Sequence, residues 1–356
     1  MLFLTEEGFE MKVLIIGGTG LISTAITRSL LAHGIELTLY NRGASSTEFD
    51  GSTAEIKGGR RDYVAFERAI SVLDSFDCVI DMVCFLKTEA QCDIRAFAGR
   101  TRQFIFCSTV DVYSKPAPIF PVREDCERHP LPEFTYAWEK AECERLLWEA
   151  HARGDFQLTV IRPAATYGEG RGLVDPFRSE PFYFDRIRKG LPLIVHGDGT
   201  SLWTSTHRDD VATAFVGAVG NPVAYGKAFH GLGDHCVSWN QYWQQASEAM
   251  GCRTPPLVHI PTDVLLRTVP HRASWCGLNF QHSNVFLNEA AARDLGMTVK
   301  VGFLDGVRRI VTWVDEHGKV PSADTAPWYD RIVAAWERYG VGMAEELRDA
   351  DGPYVP

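Results

Sequence analysis

The stretch Val13-Leu14-Ile15-Ile16-Gly17-Gly18-Thr19-Gly20-Leu21-Ile22-Ser23 decides the fold. Its four apolar residues predict a buried strand, and the amphipathic pattern over residues 21–33 predicts a helix. Gly17 lies where the chain must turn sharply, and a side chain at Gly20 would collide with a ligand against the turn. The helix start offers unpaired N–H groups and a positive dipole end to an anion. This context is typical of a loop that cradles a dinucleotide pyrophosphate.

The residues of this loop expected to contact the dinucleotide are Gly17, Thr19, Gly20, Leu21 and Ile22. Ser23 occupies the position where helix and sheet pack closely, and a hydroxymethyl group is a tolerable enlargement of the usual glycine there. The alternative is an ordinary strand-to-helix turn without a ligand.

The amino-acid composition limits the classes of protein to which this chain can belong. The chain has 356 residues, 45% of them hydrophobic, so it can bury the core of one large α/β domain or slightly more. Its net charge of -10 and the lack of a basic tract argue against nucleic acid as a partner. No segment reaches the length of a membrane span. The nine cysteines form no C-x-x-C pair, so we expect reduced thiols in a cytoplasmic protein, without disulfides or a metal site.

Apolar strands alternate with helical patterns through the first half of the chain. The predicted strands cover residues 13–16, 37–40, 55–57, 78–83, 103–108 and 158–162, and the predicted helices cover residues 21–33, 63–72, 89–98 and 135–152. This alternation predicts an α/β fold, with a Rossmann-type doubly wound parallel sheet.

The pattern becomes irregular after Tyr167. We predict a possible leader at residues 1–10, a dinucleotide-binding domain over residues 11–166, and a smaller, discontinuous substrate-binding lobe over most of residues 167–356. Segments around residues 203–230 are expected to return to the first domain. The ligand should lie between the lobe and the carboxyl ends of the strands.

The string Tyr136-Ala137-Trp138-Glu139-Lys140 places a phenol and an ammonium on one face of a predicted helix. A free phenol titrates near 10, so proton transfer at neutral pH requires about 4 kcal/mol of stabilisation. An ammonium roughly 4–5 Å away supplies roughly 3–4 kcal/mol at an effective dielectric near 20. The pair therefore predicts acid–base chemistry with a lowered pKa at Tyr136; the alternative is a pair on a helix surface.

Five motifs follow one another along the chain. They are residues 17–22; residues 106–113; Tyr136 with Lys140; Arg162-Pro163 followed by Tyr167-Gly168; and residues 207–212, which read HRDDVA. Together they resemble the extended short-chain dehydrogenase/reductase superfamily, in its NAD-dependent epimerase/dehydratase family. The resemblance implies a Rossmann domain, a nicotinamide cofactor that Lys140 and Pro163 help to bind, and a catalytic set of Thr109, Tyr136 and Lys140. Ser108 is the second choice for the hydroxyl.

The end of the second strand bears on the choice of cofactor. Asn41 stands where NAD-dependent relatives carry a ribose-binding Asp, and Arg42 can pair with a 2′-phosphate. Gly59 and Arg60 occupy the stretch where the family usually has a further Asp. We therefore expect Asn41 and Arg42 to bind NADP, with NAD as the alternative.

Departures from the family pattern bear on the substrate. Ala165 and Trp203 stand where relatives acting on nucleotide-diphosphate sugars carry an Asn and a diphosphate-binding Arg. Arg208 or Arg162 could substitute for that Arg, and four further arginines lie in the predicted lobe: Arg171, Arg178, Arg186 and Arg188. Val110 and Asp111 replace the Asp-Glu pair of sugar dehydratases, which disfavours 4,6-dehydration. Asp111 remains either a general base or a turn acceptor.

These observations favour an NAD(P)-dependent epimerase or oxidoreductase that oxidises or reduces a sugar-like small molecule, with Tyr136 as general acid/base. The residues expected at the substrate are Phe85, Asp111, Trp203 and His207. Alternatives are a nucleotide-diphosphate-sugar epimerase with a rearranged phosphate site, and a non-catalytic redox sensor or RNA-binding relative. Because relatives often pair through the helix bearing Tyr136, we expect a homodimer, with Leu146, Leu147 and Trp148 either in the interface or in the core.

Overall fold

The computed structural model describes residues 11–44, 49, 53–178 and 181–347. The predicted leader, residues 1–10, lies outside this part of the chain. The strands are β1 (Lys12–Ile16), β2 (Glu36–Asn41), β3 (Thr53–Lys57), β4 (Phe76–Asp81), β5 (Thr101–Cys107), β6 (Gln157–Pro163), β7 (Ala165–Tyr167), β8 (Leu193–His196), β9 (Leu202–His207), β10 (Lys227–Gly231), β11 (Cys236–Ser238) and β12 (Leu257–Ile260). The helices are α1 (Leu21–Ala32), α2 (Tyr63–Ser71), α3 (Lys87–Phe97), α4 (Thr135–Ala152), α5 (Tyr183–Lys189), α6 (Arg208–Ala218), α7 (Trp239–Ala249), α8 (Thr262–Thr268), α9 (Pro270–Trp275), α10 (Glu289–Leu295), α11 (Phe303–Glu316) and α12 (Pro327–Glu346).

Seven parallel strands form the main sheet, in the order β10-β6-β5-β4-β1-β2-β3. The side chains of β1 alternate between its two faces: Val13 and Ile15 pack with α1 and α6, whereas Leu14 and Ile16 pack with α2, α3 and α4. Burial on both faces explains why β1 reads as a continuous apolar run. The strand order reverses between β1 and β4, which opens a cleft at the carboxyl ends of the strands.

The second half of the chain forms two small sheets, β11-β9-β7 and β12-β8. Their core is rich in aromatic side chains, among them Trp203, Trp239, Trp243 and Phe280. The chain returns to the main sheet through α6 and β10, because α6 packs on α1 and β10 pairs with β6. The division of the chain near residue 166 stays a prediction.

The predicted doubly wound parallel sheet is confirmed, and α4 has the predicted bounds, Thr135–Ala152. Strand β4 ends at Asp81, two residues before the predicted end, because the Asp81 carboxylate accepts the Val83 N–H at 2.7 Å and turns the chain. The short strands of the second half were not predicted. Among the described residues, no helix is long and apolar enough to cross a membrane.

Candidate active site

The loop between β1 and α1 has the tight geometry that its glycines predict. Gly17 has a φ of +83°, and a Cβ there would lie 2.5 Å from the Val83 side chain. A Cβ on Gly18 would lie 2.7 Å from Leu39. Because Gly17 and Gly18 have no side chains, Val83 and Leu39 can pack closely against the loop. The loop backbone thereby stays open toward the cleft.

Ser23 does more than fit at the third small position of the loop. Its hydroxyl donates to the Gly17 carbonyl at 2.5 Å and accepts the Gly20 N–H at 2.8 Å. Thr27 donates to the Gly18 carbonyl at 3.0 Å. Side chains from the first two turns of α1 therefore fix the conformation of the loop backbone.

A cavity of about 650 Å³ runs from this loop past the end of β2. Thr19, Gly20, Asn41 and Arg42 line it, together with Arg60. Asn41 is buried, and neither amide atom of its side chain has a hydrogen-bond partner among the described residues. Because buried amides are normally satisfied, these free atoms fit the adenosine part of a dinucleotide. The residues present therefore fit the cofactor that the sequence predicts.

Arg60 lies behind this cavity, in the stretch of sequence where the family usually has an acidic residue. Its guanidinium donates to Asp93 at 2.6 Å and to Asp81 at 3.2 Å. Asp81, Asp93 and Cys84 form a buried group that could hold a metal ion, but the guanidinium already supplies the positive charge there. Within the part of the chain that the structure describes, Nε and Nη1 of Arg60 have no hydrogen-bond partner.

A second cavity, of about 610 Å³, adjoins the first and shares Gly17, Gly20, Val83 and Phe85 with it. This reaction cavity brings together the predicted catalytic residues and most of the remaining predicted site residues: Thr109, Tyr136, Lys140, Leu21, Ile22, Phe85, Asp111, Pro163 and Trp203. Residues from both halves of the chain therefore face one space between the sheet and the second half.

Lys140 is buried beneath Tyr136 on α4. Its ammonium donates to the carbonyls of Cys107 at 2.7 Å and Cys84 at 2.8 Å, and it lies 4.6 Å from the centre of the Phe85 ring. Burial alone would lower the pKa of Lys140, but Tyr136 and the nearby thiols outweigh it and leave that pKa raised. The side chain is a fixed positive charge at neutral pH.

The pKa of Tyr136 differs from the sequence-based expectation. Burial of the phenol raises this pKa above its ordinary value, and the opposing effect of Lys140 does not outweigh it. Asp111 raises the pKa further, whereas the nearby Thr109 hydroxyl lowers it. Lys140 alone therefore does not produce the expected downward shift, because desolvation of the phenolate costs more.

Thr109 and Ser108 have different partners. The Ser108 hydroxyl donates to the Glu144 carboxylate at 2.5 Å, so it is committed to a buried ion pair. Arg162 and Arg128 bind the same carboxylate at 2.7 and 2.5 Å. Burial alone would raise the pKa of Glu144, but Arg162 and Arg128 lower it to about 2. The geometry therefore favours Thr109 over Ser108 as the hydroxyl that faces a substrate.

Asp111 belongs to a polar network on the floor of the reaction cavity. Its Oδ1 accepts the Asn279 amide at 3.0 Å, and the buried Lys115 ammonium lies 3.4 Å away. Lys115 also donates to the Oδ1 atoms of Asn279 and, at 2.6 Å, Asn284. Lys115 is not among the predicted site residues, and its only signal in the sequence is its spacing of four residues from Asp111.

Trp203 and His207 differ in position although both belong to β9. Trp203 lines the reaction cavity, packs on Trp239 and has no hydrogen-bond partner for its indole N–H among the described residues. His207 is fully buried and does not line the cavity; its Nδ1 accepts the Asp209 N–H at 3.2 Å, which caps α6. Its Nε2 lies 3.4 Å from Glu169. The structure therefore gives His207 a structural position away from the other predicted substrate residues.

The second half of the chain supplies lining residues that the sequence analysis did not place: Arg171, Val174, Arg178, Trp275, Asn279, Phe280, Asn284 and Phe286. Arg171 and Arg178 had been considered only as members of the lobe. No local motif marks these residues, because they reach the cavity through contacts between distant segments.

Comparison with known proteins supports the resemblance found in the sequence. The profile of the NAD dependent epimerase/dehydratase family matches residues 90–229. The chain is similar to 2'-dehydrokanamycin reductase of Streptomyces kanamyceticus, with 25% identity over 89% of this chain and 88% of that protein. It is also similar to the chloroplast stem-loop binding protein of 41 kDa b of Arabidopsis thaliana, with 29% identity over 70% of this chain and 66% of that protein, slightly under two thirds of its length.

Solved structures share the fold at low sequence identity. The UDP-glucose 4-epimerase of Bifidobacterium longum, solved with NAD+ and UDP, has a TM-score of 0.70 and 17% identity over 87% of this chain and 100% of that chain. The UDP-glucuronic acid 4-epimerase of Bacillus cereus, solved with UDP-glucuronic acid and NAD, has a TM-score of 0.66 and 17% identity over 86% of this chain and 100% of that chain. The profile match over residues 90–229 agrees with the resemblance to the NAD-dependent epimerase/dehydratase family, and the solved structures share the fold.

Proposed function

We propose that the protein is an NAD(P)-dependent oxidoreductase or epimerase that acts on a secondary alcohol or ketone of a sugar-like substrate. The observation that carries this proposal is the meeting of Thr109, Tyr136 and Lys140 in one cavity beside the glycine loop. The similarity to a reductase over most of both chains supports the same class of reaction.

The cofactor would lie along both cavities, and it supplies or accepts the hydride when bound. The loop at Gly17 and Gly20 would hold its pyrophosphate, and Asn41 would bind its adenosine ribose. Arg42 and Arg61 face the same cavity, where Glu89 is the one carboxylate among the lining residues. Glu89 accepts the N–H groups of Phe85 and Leu86, at 2.6 and 3.0 Å, and also lies 3.6 Å from Arg61. Arg42 is therefore the lining arginine that has no ion pair with a described residue. This charge balance favours NADP, with NAD as the alternative.

Tyr136 would move the proton at the substrate oxygen, and Thr109 would hold that oxygen by a hydrogen bond. A raised pKa keeps Tyr136 protonated at neutral pH, so the phenol is ready to donate a proton to a ketone as it is reduced. Lys140, held by two carbonyls, stabilises the phenolate that this step leaves behind. These roles favour reduction as the direction in which the free enzyme starts.

Two other functions have support from the comparisons. A nucleotide-diphosphate-sugar epimerase is supported by structural neighbours solved with UDP or UDP-sugars, but Ala165 and Trp203 replace the expected anchors. An RNA-binding role is supported by the similarity to the stem-loop binding protein. The net charge of -10 opposes it, because RNA binding depends on phosphate neutralisation by basic residues.

We also propose a homodimer through α4, where Leu146 and Trp148 are half-buried while Leu147 lies in the core.

The test is to identify the nicotinamide cofactor by the mass and absorbance of material released from the denatured protein, and by titration of NADPH and NADH into protein as purified. We expect one of the two cofactors to bind at one site per chain. Tightly held cofactor would favour an epimerase cycle, and exchangeable cofactor would favour a reductase. Protein that neither carries nor binds either cofactor would contradict the proposal.

A further inference from the structure

Six arginines could replace the anionic-group anchor that the chain lacks, and the structure separates them into two groups. Four are paired with carboxylates, at distances of 2.6 to 3.0 Å: Arg162 with Glu144, Arg186 with Asp330, Arg188 with Asp315 and Arg208 with Glu169. Arg171 and Arg178 have no side-chain ion pair or hydrogen bond to any of the described residues. Among these six, they are therefore the two arginines whose charges no described residue neutralises.

Arg171 and Arg178 lie at the junction of two cavities. Both line the reaction cavity and also a neighbouring cavity of about 590 Å³, which Lys319 borders. Burial and the adjacent charge of Arg171 lower the pKa of Arg178, whereas Tyr136 and Asp111 oppose that shift. Because both guanidiniums border the same two cavities, an anion bound between them would offset the repulsion of their like charges.

Aromatic stacking places Arg178 beside the reaction centre. Its guanidinium carbon lies 3.8 Å from the centre of the Trp275 ring. That ring packs against Tyr136, with the two ring centres 5.7 Å apart. Arg178 is therefore separated from the proposed acid–base residue by a single aromatic ring.

The backbone of Arg178 is strained. Its φ of +48° makes it the one non-glycine residue with positive φ among the residues that the structure describes. An L-residue adopts this conformation at a cost in stability, and such residues concentrate at ligand sites. The strain indicates that something other than stability favours an arginine at this position.

We propose that Arg171 and Arg178 bind an anionic oxygen group, a carboxylate or a phosphate, on the sugar-like substrate whose reacting oxygen faces Tyr136. The substrate class is then an acidic or phosphorylated sugar. This proposal rests on the proposed function, because it takes the reaction cavity as the substrate site. Guanidinium groups suit both anions, since each can donate two parallel hydrogen bonds.

The experiment is calorimetric titration of the cofactor-saturated protein with D-glucuronate, D-glucose 6-phosphate and neutral D-glucose. The variants are Arg171→Gln and Arg178→Gly, and glycine relieves the strained φ. Arg308→Gln is the matched control, because Arg308 is exposed and pairs with Asp305 at 2.7 Å. Thermal unfolding and cofactor affinity are measured for every variant.

We expect at least one acidic probe to bind about 10-fold or more tightly than glucose, and each cavity variant to remove most of that difference. Preference for glucuronate indicates a carboxylate, and preference for glucose 6-phosphate indicates a phosphate. The control should keep the preference, and Arg178→Gly should unfold no earlier than the natural protein.

Equal binding of acidic and neutral probes, or no binding of either acidic probe at tens of millimolar, would overturn the anion site. An acidic preference that survives both cavity variants would overturn it as well. In each of these cases normal cofactor binding leaves the proposed function intact. Loss of cofactor binding in the natural protein would instead contradict the proposed function itself.

Discussion

The two walls of the reaction cavity differ in how their residues are spaced along the chain. The wall formed by the main sheet depends on short motifs: the glycine loop spans one turn, and Tyr136 and Lys140 are four residues apart on α4. The opposite wall joins distant segments, as in the hydrogen bond between Asn279 and Asp111, which are 168 residues apart. The residues proposed for proton and hydride transfer could therefore be predicted from local sequence, whereas the residues proposed to contact the substrate come together only through tertiary packing.

The largest effect expected is on the first wall. Tyr136→Phe should lower turnover about 10³-fold, equivalent to about 4 kcal/mol of transition-state stabilisation, because it removes only the proton donor. Cofactor affinity should change little, as measured by titration of NADPH or NADH. Near-normal turnover with a substrate of the natural protein would remove Tyr136 from the proposed mechanism.

The ion pair between Glu144 and Arg162, beneath that wall, should contribute less to the free energy of unfolding at acidic pH. The pKa of Glu144 is lowered from 4.5 to about 2, so its contribution is complete above the unfolded pKa and is lost as the pH falls toward the folded one. A shift of this size corresponds to about 3 kcal/mol. The difference in unfolding free energy between the natural protein and Glu144→Gln should therefore shrink from pH 6 toward pH 2, as followed by urea titrations. A constant difference would show that Glu144 does not titrate as proposed.

Lys115 connects the two walls, because it bonds Asp111 from one and Asn279 and Asn284 from the other. Lys115→Met leaves these buried oxygens without their donor, and we expect a loss of about 2 kcal/mol in unfolding free energy. Lys227→Met is the matched control, since that lysine is half-exposed and pairs with Asp294 at 3.1 Å. Equal unfolding midpoints for both variants would mean that the network does not join the walls.

The contrast between short local motifs and contacts of distant segments explains what could be predicted from the sequence. The continuous apolar run of β1 and the helical pattern of α4 are local signals, and both elements have nearly the predicted bounds. The HRDDVA string was also found, but His207 and Asp210 serve structure: His207 caps α6, and Asp210 accepts the N–H groups of Lys300 and Val301. The raised pKa of Tyr136 could not be predicted, because burial depends on the whole fold.

The smallest effect is expected at Arg42, whose role in cofactor choice was predicted from local sequence alone. Arg42 is exposed and lines the cavity beside Asn41, so a 2′-phosphate would gain one charge-assisted hydrogen bond there. Arg42→Ala should weaken NADPH binding about 10-fold and leave NADH binding nearly unchanged. Arg28→Ala, on an exposed turn of α1 away from the lining residues, serves as the control. Equal losses for both cofactors would mean that Arg42 does not distinguish NADPH from NADH. Cofactor choice would then depend on residues such as Arg60, which reach the cavity only through the fold, as the residues of the opposite wall do.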